Sequence, residues 1–202
     1  MRGLLLKSWK NILPTFAYYC FFTAVFFAVS IIAKALIYFG FVCVMFSVAV
    51  PTASMARDEQ DGWDKFALAS GVTRQKFVLS GYLFALLVML SSWLLFIVLC
   101  AVTGATAENF ALFLFFAGAS LFAASVVLVL IHKFGVEKTR VLQIVVFVAV
   151  MVVGAGITSV LFGDDRVSLP LFAMPAVVFA IGWAAFAVSC FVSGRICAKK
   201  DY

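Results

Sequence analysis

Eight of the 24 acidic and basic side chains of this chain lie within 57–76, Arg57-Asp-Glu-Gln-Asp-Gly-Trp-Asp-Lys-Phe-Ala-Leu-Ala-Ser-Gly-Val-Thr-Arg-Gln-Lys76. Residues of these types can bind a cation, form ion pairs or dock on another protein, and their spacing decides among the three. Asp61, Gly62 and Asp64 begin like an acidic metal motif. A hard cation such as Mg²⁺ needs several convergent oxygens, and the further aspartates at motif spacing are absent. No GxxxxGK(S/T) phosphate loop, HExxH pair or GxSxG serine occurs. The chain is therefore read as not an enzyme, with no catalytic, cofactor or metal site of its own. His132 stands alone beside Lys133 and reads as an interface residue with a wet tip. Cys20, Cys43, Cys100, Cys190 and Cys197 form no CxxC pair and read as buried, reduced thiols.

The rest of the chain must hold this polar segment in place, and its composition says where. Apolar residues make up 66% and charged residues 12%, far from the soluble balance of roughly half and a quarter. The fold class is an all-α integral membrane protein, one domain over 1–202. Six runs, 15–33, 35–56, 77–102, 110–131, 141–162 and 171–192, meet the length of about 20 apolar residues that crosses a core roughly 30 Å thick. Only Lys34 separates the first two, so a tight hairpin is required. One helix of about 40 residues would be about 60 Å long, twice the core. Pro51 is expected to kink the second span.

Thirteen of the 15 basic residues lie on one side if the N-terminus is inside, leaving only Lys34 and Arg166 outside. The positive-inside rule then gives N-in/C-in topology with six transmembrane helices. The charge of +6 reflects anionic inner-leaflet lipid as a partner and no nucleic acid, because the basic residues sit at span ends and form no block. Residues 1–14 lack the pattern of a cleavable signal. Leu5, Leu6, Trp9, Ile12 and Leu13 share one face, which predicts an N-terminal interfacial helix ended by Pro14. In the fifth span Gly154, Gly156 and Thr158 give a small-residue face, with Gly154 and Thr158 as the helix-packing pair. The outer connections 103–109 and 163–170 are too short to form a domain. No span interior holds an acidic or basic side chain, which argues against an ion-coupled carrier.

Within 57–76, Gly62 and Gly71 bracket Trp63 to Ser70, with Trp63, Phe66 and Ala67 on one face and Asp64 and Lys65 on another. This spacing predicts a short amphipathic cytoplasmic helix between two permissive joints. Thr73 offers a hydroxyl cap for the next helix. Arg74 and Lys76 in its first turn oppose the helix dipole, which lipid phosphate or an acidic partner would offset. Chemistry alone leaves two readings open: a lipid-facing connector, and a docking helix that enters a groove on a soluble partner.

The order Asp58-Glu59, Gly62-Trp63-Asp64-Lys65-Phe66-Ala67, Val72-Thr73-Arg74, Val78 and Tyr82-Leu83 resembles the second-to-third-span segment of small bacterial type-2 ABC exporter permeases, close to those that export amphipathic peptides. Gly3-Leu4-Leu5-Leu6-Lys7 is similar to the family's start. The chain departs from the family where it often has proline at Gly71 and lysine at Gly81.

The resemblance implies a permease subunit that forms the cargo path in the bacterial cytoplasmic membrane. It would pair with a second permease, as homodimer or heterodimer, and sit on cytosolic ATP-binding-cassette ATPase subunits that bind the ATP and Mg. The coupling helix would lie between helices 2 and 3, and the ATPase-docking residues would be Asp58, Glu59, Gly62, Trp63, Asp64, Lys65, Phe66 and Arg74. Trp63 and Phe66 would be the apolar anchors, Asp58, Glu59 and Asp64 would pair with basic groups of the ATPase, and Arg74 would meet an acidic one. Cargo would be an amphipathic peptide or another hydrophobic molecule. The alternative is a six-helix solute-binding subunit of an uptake transporter, which would place polar ligand groups near the outer face and an Ala-rich helix face for docking. This chain has its polar density inside.

Overall fold

A computed structural model describes residues 2–71, 73–163 and 172–199. Within them the chain forms α1 (Arg2–Ile32), α2 (Ile37–Gln60), the short α3 (Trp63–Ala69), α4 (Arg74–Thr103), α5 (Ala107–Phe134), α6 (Val136–Gly163) and α7 (Ala173–Lys199). Among the described residues α1, α2, α4, α5 and α7 are long and apolar enough to cross a membrane. The expected span 141–162 falls on α6. The helices run past the apolar stretches that predict them, most clearly where α2 continues to Gln60 and α7 to Lys199. Lys, Arg, Glu and Gln are good helix formers, so the polar ends continue the helix that the apolar run begins.

The expected stop at Pro14 is absent, and α1 is one helix from Arg2 to Ile32 with Pro14 inside it. Proline removes one backbone donor and crowds the preceding turn. Contacts beside it support that turn: the Arg57 guanidinium donates to the Asn11 carbonyl, and the Thr15 hydroxyl donates to the Ile12 carbonyl at 3.1 Å. Pro51 likewise lies inside α2 without ending it.

The hairpin between α1 and α2 is present, and Lys34 makes it. Its φ of 50° is the sole positive value at a non-glycine among the described residues. The Ala35 amide donates to the Ser30 carbonyl at 3.1 Å and the Lys34 amide to the Ile31 carbonyl at 3.2 Å. This is the Schellman pattern that closes a helix and is usually built on glycine.

The bundle is built around α5, whose Phe116, Leu121, Val127 and Leu128 are fully buried. Two core clusters meet on it, one with Phe39, Val44, Phe96 and Leu99, the other with Tyr82, Met89 and Phe186. Against α7 the approach is set by glycines. A Cβ on Gly118 would lie 2.7 Å from Phe179 backbone, and one on Gly182 would lie 2.6 Å from the Gly118 carbonyl oxygen. Small residues let membrane helices pack backbone to backbone. The sequence reading placed such a face at Gly154 and Thr158; both fall on α6, but their side chains lie outside the described residues. By contrast, α1 leaves Tyr18, Phe21, Phe22 and Ile32 exposed.

The α5–α7 seam yields a direct expectation. Gly118→Ala and Gly182→Val each force backbone apart and should cost about 1–3 kcal/mol, the usual range for overpacking, seen as a lowered Tm of the detergent-purified protein. Gly194→Ala is the control, since a Cβ there meets nothing within 4 Å. Equal melting of all three variants would contradict this packing.

Candidate functional site

Eight of the 24 charged residues belong to the connection in which α2 passes through α3 into α4. The Asp61 amide donates to the Arg57 carbonyl at 2.9 Å and the Gly62 amide to the Glu59 carbonyl at 3.3 Å, closing α2. Gly62 at φ 62° and Gly71 at φ 82° then turn the chain on either side of α3. Left-handed backbone of this kind suits glycine, so the two joints predicted from sequence are the two turning points. Thr73 holds the N-cap position of α4 with extended backbone, but its hydroxyl makes no capping bond. The expected hydroxyl cap is therefore not used.

Three side chains fasten this connection to three other helices. Asp58 is buried and its carboxylate accepts from both Lys7 and Asn11 of α1. The Ser54 hydroxyl adds a bond to the Ser8 carbonyl at 3.4 Å. Glu59, next in sequence, accepts from the Val136 amide at 2.7 Å, the first residue of α6. A carboxylate there answers an unpaired amide and the positive end of the helix dipole. Arg74 donates to the Ala198 carbonyl at 2.9 Å and contacts the Cys197 carbonyl at 3.4 Å, at the C-terminal end of α7. The expectation that Arg74 would need lipid or a partner to offset its unfavourable place in α4 meets an internal answer, because those carbonyls carry partial negative charge.

Lys7 has a second role. Its ammonium lies 4.2 Å from the centroid of the Trp63 ring, a cation–π contact. One charge therefore touches both the Asp58 root of the connection and α3 itself. Trp63 packs on Phe66 with centroids 5.2 Å apart. The indole nitrogen is buried with no hydrogen-bond partner among the described residues, whereas Phe66 is 60% exposed. The two aromatics predicted as a pair of anchors thus differ: Trp63 faces the bundle and Phe66 faces outward. The side chains of Asp64 and Lys65 lie outside the described residues.

Behind the connection is a cavity of about 240 Å³ whose wall includes Ser8, Ser54, Asp58, Glu59, Gly81 and His132. His132 does not have the wet tip expected of it. It is 8% exposed, bonds the Leu128 carbonyl at 2.7 Å through Nδ1 and stacks on Tyr82. The Tyr82 hydroxyl contacts Ser189 at 2.5 Å and Ser193 at 2.8 Å, and Ser189 donates to the Ser125 carbonyl at 2.7 Å. This buried polar seam joins α4, α5 and α7, and sequence reasoning missed it. The signal was available, since Ser189 and Ser193 are one helical turn apart in an otherwise apolar run. Of the five cysteines, Cys43, Cys100 and Cys197 are buried, but Cys20 is exposed. It lies on α1, which few neighbours cover.

Among the described residues no three His, Cys, Asp or Glu side chains converge as a metal set. The arrangement is a short helix on two glycine joints, with an exposed aromatic outward and polar fastenings to α1, α6 and α7. A family model described as ABC-2 family transporter protein matches residues 3–200. Nothing among the curated proteins or the solved structures matches.

Replacing Lys7 by Ala leaves a buried carboxylate with a weaker set of donors, and an underpaired buried group costs about 1–3 kcal/mol. The Tm of Lys7→Ala should fall accordingly and recover in part when Asp58→Leu is added, because an apolar replacement of both partners removes the unmet charge. A double variant no more stable than Lys7→Ala would show that the pair does not hold α1 in place.

Proposed function

The chain belongs to the ABC-2 family of transporter proteins, and from that premise we propose that it is an export permease driven through α3 by separate cytosolic ATPase subunits. As a member of that family it is a multi-pass membrane component that works with an ATP-binding-cassette ATPase. In the proposed arrangement both termini and α3 are cytoplasmic, in a bacterial cell membrane. A second permease, identical or a sister chain, completes the cargo path, and ATP and Mg are bound on the ATPase. Cargo is hydrophobic or amphipathic and passes between the two permeases.

The observation that carries this reading is the exposed Phe66 on a helix held between two left-handed glycines. A short helix with one outward aromatic anchor is the form that enters a groove on a partner, and a few such aromatics carry most of an interface's binding energy. In this account Phe66 enters the ATPase groove, and Asp64 and Lys65 set its register. Trp63 seats α3 on Lys7, while Gly62 and Gly71 are the hinges. Asp58, Glu59 and Arg74 belong to the docking segment as its roots, since their polar groups already meet α1, α6 and α7. When the ATPases close and pull α3, those three fastenings pass the displacement to three helices at once, and α4 swings with its N-terminal end.

The test is co-purification of the tagged protein from its host in mild detergent, with an ATPase assay. A soluble subunit bearing a GxxxxGK(S/T) loop should be recovered in stoichiometric amount. Phe66→Ala should abolish stimulated ATPase activity with an unchanged Tm, because that side chain touches solvent, whereas Trp63→Ala should lose both activity and stability. Full stimulation in Phe66→Ala would overturn the docking assignment.

A further inference from the structure

At the root of α3 a buried donor and a buried acceptor are each left short of a partner. The Trp63 Nε1 and the Ser30 hydroxyl are buried without a hydrogen-bond partner among the described residues. A serine hydroxyl can turn toward the carbonyls of its own helix, but an indole N–H points where its ring points. Native proteins pair nearly all such groups, and one left unpaired disfavours the position that leaves it so. The acceptor is Asp58. Lys7 and Asn11 both donate to its Oδ1, and no hydrogen bond from the described residues reaches its Oδ2. A carboxylate has room for about four donors.

The two groups are neighbours. The Lys7 ammonium bonds Asp58 and lies 4.2 Å from the Trp63 ring centroid, so one cation stands next to both. The cavity of about 240 Å³ behind the connection is bordered by Asp58 and by Gly62, the residue before Trp63. A Cβ at Gly62 or at Gly71 would meet nothing within 4 Å. Neither glycine is there to let backbones approach, so what both positions require is the left-handed backbone that glycine adopts freely. Trp63 therefore has a pivot to turn on and an open space beside that pivot, and its observed seat leaves its N–H unpaired.

We propose that α3 has a second seat, in exchange with the one described above, in which Trp63 turns at Gly62 toward the cavity and its N–H donates to Asp58 Oδ2. Lys7 sets the balance between the two. While its ammonium holds both Asp58 and the face of the indole, Trp63 keeps the first seat. Without that ammonium the carboxylate takes the indole N–H, a charge-assisted bond of the stronger kind. Trp63 and Asp58 are thus a positioning pair for α3, and Phe66, carried on the same short helix, is presented differently in the two seats. That last consequence rests on the docking reading above; the second seat does not.

The experiment exchanges one N–H for sulfur. Trp63 is replaced by benzothienylalanine, which keeps the fused rings and lacks the donor, in the full-length protein in detergent, once with Lys7 present and once with Lys7→Met. With Lys7 the replacement should leave Tm unchanged or raise it, because the donor it removes is unpaired. With Lys7→Met it should lower Tm by about 2–4 °C, the shift that one ordinary hydrogen bond gives in a chain of this length. A replacement no more costly with Lys7→Met than with Lys7 would overturn the proposal. Where Lys7→Met does not fold, the indole N–H resonance of Trp63 in the otherwise unaltered protein decides, identified by its loss on the same replacement. It should show exchange with a second environment that Asp58→Leu removes; a single environment, or exchange that Asp58→Leu leaves in place, would overturn the proposal. No ATPase is present, so failure here leaves the docking proposal standing, and failure of docking leaves this test intact.

Discussion

A carboxylate taken out of water needs a positive partner and hydrogen bonds, and Asp58 obtains both from α1. Much follows from that pairing, which holds this end of α1 together with the Ser54 bond to the Ser8 carbonyl and the Arg57 bond to the Asn11 carbonyl. The outward face of α1 is nearly bare of protein, and its core contribution at the charged end is Ile12 against Val42, Phe46, Val50 and Phe84. The pairing of Lys7 and Asn11 with Asp58 sets where α1 meets α2. It also places the Lys7 ammonium over Trp63, and so sets where α3 begins.

The neighbouring charges repeat the device with different partners. Asp58 turns to α1, Glu59 to the first amide of α6, and Arg74 to the last carbonyls of α7. Two of the three contacts complement a helix dipole, placing an anion at an N-terminus and a cation at a C-terminus. Such contacts are directional and short, and in the proposed cycle a displaced α3 would move the ends of several helices rather than bend one loop. Beneath them, the stack of Tyr82 on His132 and the serines of α5 and α7 join α4 to the packed centre of the bundle. In the proposed transport cycle these links carry force inward from the docking helix.

The apolar runs made the helices legible, because the length of a hydrocarbon core is a strong constraint on sequence. Gly62 and Gly71 were legible too, since a short amphipathic stretch between glycines has few other readings. Several features were not. Pro14 reads as a stop in isolation, yet α1 continues through it, and the Arg57 guanidinium that donates to the nearby Asn11 carbonyl is distant in sequence and adjacent only after folding. The charges of Asp58, Glu59 and Arg74 look available to a partner until groups from elsewhere in the chain meet them: two side chains of α1 for Asp58 and helix ends for Glu59 and Arg74. The Gly118 and Gly182 contact lies between helices that are not consecutive, so no local spacing announces it. His132 looked like an interface residue for the same reason, its stacking partner Tyr82 being on another helix.

The central claim is that α3 is the point where this membrane protein is driven from outside the bilayer, and Phe66 is the place to ask. A photoreactive benzophenone side chain installed at position 66 in living cells reports what that position touches. The account predicts an adduct with a soluble subunit that carries a phosphate-binding loop. Adducts with lipid alone would contradict it and would make α3 a lipid-facing connector.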